Sequence, residues 1–519
     1  MSADQLPPAE RPSLGSLALF QGTVNHQGPK PGRVRSTFRL NPGEERPAIR
    51  LVASEPEPFA AVAAAVLPDS MTQPLATGPV DWKLVAAFRG QVAEALTTRL
   101  GEATSKPAQE ELGRAVITEL VDTTAAEAVT AGRSTWSRSE QAALEQAVFN
   151  AVFRLGRLQP LVDDERVENI IILGHGRVWL QLLDGTLEPG PAVADTDEEL
   201  VEFVSFLASR EGSARAFSEA HPSVDLRLPG GSRMSATNWV TSTPSIVIRL
   251  HRLVEVTLDD LVQLGTLTPV MASFLAAAVR ARLSIVIAGA QGAGKTTLLR
   301  ALCHQIGPLE QLSTFEDPAE LFLDELRERH PVVHAWEARH GSGEVGPDGR
   351  PAGEYTLEQA MRANYRKNAG RLIVGEVRGP EAWLMLEAME SGLGSLSTTH
   401  AASAEAAMPK LINCCMKAGP QVSVDLAGRA LGHALDLIVH IDLEEAATAY
   451  GSPGRRRKVT EIVAVTEGEK ERGYALNQVF KPAEGCPAVP ASLPDYLRRL
   501  ARYGFDLDTF RSQASGADR

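Results

Sequence analysis

The stretch LSIVIAGAQGAGKTTLLRALCHQI, residues 283–306, decides how this chain is read. It opens as a short apolar run, passes through a glycine-rich turn and continues with helical periodicity. Inside it, Gly289, Gly294, Lys295 and Thr296 satisfy G-x-x-x-x-G-K-[ST], with the strand before and the helix after that the motif requires. Glycines let the backbone of Gly289, Ala290, Gln291, Gly292, Ala293, Gly294, Lys295, Thr296 and Thr297 wrap closely around an anion. Successive N–H groups and the helix N-terminus then face a β-phosphate. Lys295 is placed to neutralise the β/γ oxygens, and Thr296 to hold Mg²⁺ through its hydroxyl. ATP and Mg²⁺ are the expected ligands.

Binding a nucleotide is not hydrolysing it, so the strands downstream matter. RLIVGEVRG, residues 371–379, is an apolar strand ending in Glu376, which is placed to orient or deprotonate an attacking water. TFEDPAEL, residues 314–321, is another strand ending in carboxylates, Glu316 and Asp317. One or both suit magnesium-bound waters, since Mg²⁺ prefers oxygen ligands and keeps water. Pro318 is expected to mark a strand-to-helix turn. GSLSTTH then puts His400 at the carboxyl end of a further strand, the edge where ligands bind in an open parallel sheet. An imidazole N–H there reaches a γ-phosphate. LSTFED, RLIVGE, GSLSTTH and ALDLIVHI alternate with helical patterns, which predicts α/β architecture with a largely parallel sheet. KVTEIVAVTEGEKERGYALNQVF reads as an antiparallel hairpin appended to it.

A length of 519 residues implies two or three domains. Residues 1–80 hold about a third of the 33 prolines and read as a disordered leader. Residues 81–157 carry a helical pattern, with Asp81, Ser137 and Ser139 as cap candidates. Residues 158–252 have short strands, including a hairpin at Asp184-Gly185, and form a smaller α/β domain. Residues 253–480 form the larger domain, opened by a helical stretch from Leu258 to Arg282, and residues 481–519 a tail with a short helix. The net charge of −13 argues against a general nucleic-acid binder. The four cysteines form no C-x-x-C pair, against a zinc ribbon or dithiol site. The longest apolar runs, such as FAAVAAAVL, are about half the ~20 residues of a membrane helix. A cytoplasmic protein without a transmembrane segment is expected.

The order GAQGAGKTT, FEDPAEL, RLIVGEVRGPEA, GLGSLSTTHA resembles the type II/IV secretion ATPases, especially the CpaF-like branch of Tad/Flp pilus assembly. These stretches correspond to that family's Walker A, Asp box, Walker B and His box. The His box is the discriminating one, because ordinary P-loop kinases and GTPases lack it. LQPLVDDERVENIIILGHGRVWLQ and DLRLPGGSRMSA…PSIVIR resemble the family's N-terminal domain. The resemblance implies a RecA-like P-loop NTPase domain preceded by that smaller domain, assembled as a hexamer with ATP between the two domains. It also implies arginines reaching in from the N-terminal domain, with Arg233 and Arg249 the best matches and Arg227 third. As partners it implies inner-membrane platform proteins of a pilus or secretion machine, with peripheral membrane association through them; the acidity argues against direct nucleic acid as a partner.

Some positions depart from the family pattern. Asn368, Ala369 and Gly370 stand where the family has Arg-Pro-Asp, and AAS stands where it has Ala-Asn-Ser. A tetracysteine module is missing, which favours the CpaF-like branch. Two other readings stay open: a conjugation-type traffic ATPase, and a nucleotide-gated scaffold with little turnover.

Overall fold

The computed structural model describes residues 80–99, 105–210, 216–250, 255–341, 345–346, 349, 351–368, 370–447, 453–468 and 472–516. Apart from Val80, the expected proline-rich leader lies outside them. The chain divides into two units, Met1–Gln159 and Pro160–Arg519.

In the first unit, α1 (Trp82–Arg99), α2 (Lys106–Thr130) and α3 (Arg138–Phe153) pack around one apolar cluster. Val85, Phe88, Val92 and Leu96 recur at helical spacing on α1 and meet Val116, Ile117 and Val121 of α2. Asp81 accepts the Lys83 amide at 2.9 Å. Ser137, not Ser139, caps α3, in a reciprocal box with Glu140.

The second unit holds two sheets. The first contains β1 (Val167–Leu173), β2 (Val178–Leu182), β3 (Leu187–Gly190), β4 (Ser223–Arg227), β5 (Arg233–Thr237) and β6 (Ser245–Arg249), with α4 (Asp197–Arg210) between β3 and β4. Its order is β3-β2-β1-β6-β5-β4, with every pairing antiparallel. Asp184-Gly185 turns β2 into β3, with Gly185 at φ 92°. Alternation buries Val224, Leu226, Met234, Ala236, Ile246 and Ile248. The intervening positions place Arg227, Arg233 and Arg249 opposite one another on adjacent strands, as a row across the sheet.

The second sheet follows α5 (Leu258–Gln263) and α6 (Pro269–Arg280). The single helical stretch expected from Leu258 to Arg282 is broken here: Gly265 takes φ 71°, and Thr268 caps α6 with Pro269 at its start. Then come β7 (Ile285–Gly289), α7 (Lys295–Cys303), β8 (Leu312–Glu316), β9 (Val333–Glu337), α8 (Leu357–Asn364), β10 (Arg371–Val377), α9 (Glu381–Glu390) and β11 (Ser395–His400). They are followed by α10 (Ala404–Met416), α11 (Val424–Ala434), β12 (Leu437–Ala447), β13 (Pro453–Glu467), β14 (Tyr474–Lys481), β15 (Val489–Pro490) and α12 (Leu507–Gly516).

The order is β15-β14-β13-β12-β7-β11-β10-β8-β9. From β12 to β9 every pairing is parallel; β13, β14 and β15 extend the sheet antiparallel. Apolar clusters cover both faces, one built on α6 and α7, the other on α9, α10 and α11. This is a RecA-like P-loop domain. Phe274 of α6 packs edge-to-face against Phe480 and Phe505 and so fastens the C-terminal segment to the core. After β8 the chain does not enter a helix as Pro318 suggested. The Glu316 carboxylate takes the amides of Glu320 and Leu321, which closes a turn, and the next element is β9.

Candidate nucleotide site

The carboxyl ends of β7, β8, β10 and β11 converge on one region. Gly289 ends β7 against β12, where an added Cβ would stand 2.2 Å from the Ile441 carbonyl oxygen, so only glycine fits. Gly294 precedes α7 at φ 95°, a left-handed conformation that turns the loop into the helix. Lys295 donates to Ala290 O at 2.8 Å and lies 3.2 Å from His400 Nδ1. Burial lowers its pKa to about 8 against the opposing pull of Glu376.

An ammonium only donates, so His400 Nδ1 must accept and the ring proton sits on Nε2. Nε2 faces Glu376 Oε1 at 2.7 Å. Burial, and then the Lys295 charge, lower the His400 pKa and favour this neutral tautomer. Glu376 also pairs with Arg378, whose pKa is raised chiefly by that hydrogen bond. The β10–β11 register is interrupted between Val374 and Val377, and Thr398 and Thr399 hydroxyls bond the carbonyls of Gly375 and Val377. This irregularity aims Glu376 out of the strand.

The Asp-box carboxylates separate. Glu316 Oε1 accepts from Glu320 N at 2.8 Å and Leu321 N at 3.0 Å, and burial pushes its pKa up to about 7. Asp317 Oδ1 lies 3.0 Å from His340 Nε2. Glu320 is the carboxylate that meets Thr296, whose hydroxyl donates to Oε2 at 3.3 Å. Thr296, Glu316, Asp317, Glu320 and Glu376 nevertheless line one small crevice.

Of the three arginines, Arg233 pairs with Glu320. Arg249 lines a polar pocket of about 90 Å³ with Lys295, Thr296, Glu376 and His400. Arg227 instead pairs with Glu325 at 2.7 Å and stacks over Phe322, outside that pocket. A larger cavity of about 680 Å³ shares Arg249, Gly292, Gly294 and Thr297 with the pocket and continues past Leu261, Gly265 and Cys486.

Sequence reasoning passed over Glu320, Arg378 and Arg300. Glu320 lies four residues beyond Glu316 in a stretch already singled out, and Arg378 two beyond Glu376. Arg300 sits inside the helical pattern of α7, where nothing marks it as reaching the Glu320 carbonyl.

Oxygen donors at Thr296 and Glu320, with the open turn at Gly292 where no atom stands within 4 Å of an added Cβ, fit a hard divalent cation beside bound phosphates. Fold and site together define a P-loop nucleotide-binding protein. Residues 156–450 match the family of type II/IV secretion system proteins, and the chain belongs to it.

A putative conjugal transfer protein of Mycobacterium tuberculosis is 30% identical over 67% of this chain and 94% of its own length. An uncharacterized protein of Methanocaldococcus jannaschii is 31% identical over 50% of this chain, which spans 45% of that protein. Among solved structures, the VirB11 ATPase of the Brucella suis type IV secretion system, in complex with sulphate, is 26% identical with a TM-score of 0.30, covering 59% of this chain and 95% of that one. Among the described residues no helix is long and apolar enough to cross a membrane.

Proposed function

We propose that the protein is a Mg²⁺-dependent ATPase that drives a secretion or pilus-assembly machine. The observation that carries this is the meeting of Lys295, Thr296, Glu376 and His400 at one strand edge beside the glycine turn. In this reading the loop amides and Lys295 bind the β- and γ-phosphates. Thr296 and Glu320, backed by Glu316 and Asp317, hold Mg²⁺, which when bound neutralises charge on the transferring phosphoryl group.

Glu376 orients the attacking water and takes its proton. Arg378 pairs with that carboxylate and holds it in place. His400, whose Nε2 faces Glu376, turns that N–H to the γ-phosphate when Lys295 leaves Ala290. Arg249 and Arg233 reach the phosphates from the six-stranded sheet, Arg233 by exchanging Glu320 for a phosphate oxygen. Arg227 takes no part.

The finer reading is a cytoplasmic hexamer of the CpaF-like branch, docked on inner-membrane platform proteins of a Tad/Flp pilus, with the four domain boundaries drawn from the sequence. It rests on the motif order and the missing tetracysteine module. A conjugation-type traffic ATPase is the second reading, favoured by the conjugal transfer relative.

The first test is steady-state Mg-ATPase activity as protein concentration is raised. Turnover that increases with assembly and is abolished by Lys295→Ala supports the ATPase, whereas equal turnover in Lys295→Ala overturns it. Capture from gently solubilised source cells separates the finer readings: pilin-like subunits with platform proteins, or conjugation-channel components.

A further inference from the structure

β13 does more than widen the sheet. Its outer half, together with that of β12, leaves the parallel core and reaches both the phosphate loop and the six-stranded sheet. There Arg457 Nε donates to Gly292 O at 3.0 Å, and its Nη2 donates to Glu168 Oε1 at 2.8 Å. Glu168 is the second residue of β1, and its other oxygen lies 3.6 Å from Arg455 Nη1. Arg457 also packs against the loop, since an added Cβ on Gly294 would stand 3.3 Å from Arg457 Cδ. One guanidinium thus bridges a loop carbonyl and a carboxylate on a different sheet. Its planar fork suits two acceptors at once, where an ammonium is a single point charge.

We propose that Arg457 is a positioning residue for nucleotide binding, tying the phosphate loop to the six-stranded sheet through Glu168. The proposal rests on the nucleotide reading of the site. A trans peptide is planar, with its C=O and N–H pointing oppositely. Holding Gly292 O outward therefore aims the Ala293 N–H inward, where it donates to Ala290 O at 3.3 Å. Ala290 O is also the acceptor that holds Lys295. A phosphate that takes the place of Ala290 O finds the Ala293 amide already aimed, because its own peptide is fixed from behind, with the Lys295 ammonium beside it. Without Arg457 the Gly292 peptide, flanked by glycine freedom at φ 77°, rotates and the amide must be re-aimed on binding.

The test uses the full-length chain, with Mg-ADP affinity by titration calorimetry and the thermal midpoint measured in parallel. Arg457→Gln is expected to weaken Mg-ADP binding about tenfold and Glu168→Gln about threefold, while the double variant loses no more than Arg457→Gln alone. Arg457→Lys, which keeps the charge but not the fork, is expected to keep the thermal midpoint yet lose at least fivefold in affinity. The KM for ATP rises by a larger factor than kcat falls. Wild-type affinity in Arg457→Lys and Glu168→Gln overturns the proposal even where Arg457→Gln fails to fold. A wild-type chain that binds no Mg-ADP overturns the nucleotide reading itself, and the proposal with it.

Discussion

The nine-stranded and six-stranded sheets bring side chains to the same region by different geometries. In the parallel part of the larger sheet, strands are buried on both faces, so only their carboxyl ends are free to hold chemistry: Gly289, Glu316, Glu376 and His400 all sit at such ends. In the smaller sheet every pairing is antiparallel, one face is buried, and functional candidates arise from alternation. Arg227, Arg233 and Arg249 are register partners along one row, yet only Arg249 lines the polar pocket, and Arg233 meets it through Glu320. Strand ends are positioned by the fold alone. A row of arginines is positioned by the fold and then sorted by what the other sheet offers: Glu320 for Arg233, Glu325 for Arg227.

Arg233→Ala strikes the point where the sheets meet. It removes the guanidinium that exchanges Glu320 for a phosphate oxygen, a charge-assisted bond of the kind worth about 1.5–3 kcal/mol, so a loss of about 10- to 100-fold in kcat/KM for ATP is expected. Arg227→Ala, one strand over on the same row, should change it by less than about threefold, within the range of an exposed pair. Equal losses in the two variants would break the distinction drawn within the row.

Glu316 gives a smaller effect with a pH signature. Its folded pKa, about 7, stands above the ordinary value of 4.5, because the carboxyl is buried. The folded state therefore holds this proton more tightly than the unfolded chain. The stabilisation is complete below about pH 4.5 and is lost as pH rises through 7. Glu316→Gln keeps the Oε1 acceptor for both amides without an ionisable group. Its stability relative to the wild type should grow by about 2 kcal/mol between pH 5.5 and 8.5. Denaturant titrations at the two pH values check this; a gap independent of pH would place Glu316 in a solvated setting.

The parallel core was legible because its strands are continuous apolar runs ending in Gly, Glu or His and bounded by turn signals. The alternating strands of the smaller sheet were legible through their period of two. β9 was not: VHAWE is short and half-exposed, and it becomes a strand only by pairing with β8. The break between α5 and α6 hinges on one left-handed glycine inside an apolar periodic run.

At the candidate site, residues set by local pattern are legible in the sequence and those set by tertiary placement are not. Glu320 faces Thr296 because Glu316 folds the intervening turn, and Arg457 reaches Gly292 across 165 residues of chain. Neither spacing carries a local signal.

The most direct measurement is Mg-ATP affinity together with single-turnover hydrolysis in Glu376→Gln. If Glu376 acts on the water, binding stays within about threefold of the wild type and hydrolysis slows at least 100-fold, since the amide neither orients water as a carboxylate does nor accepts its proton. Hydrolysis at the wild-type rate would contradict that role and remove Glu376 from the reaction.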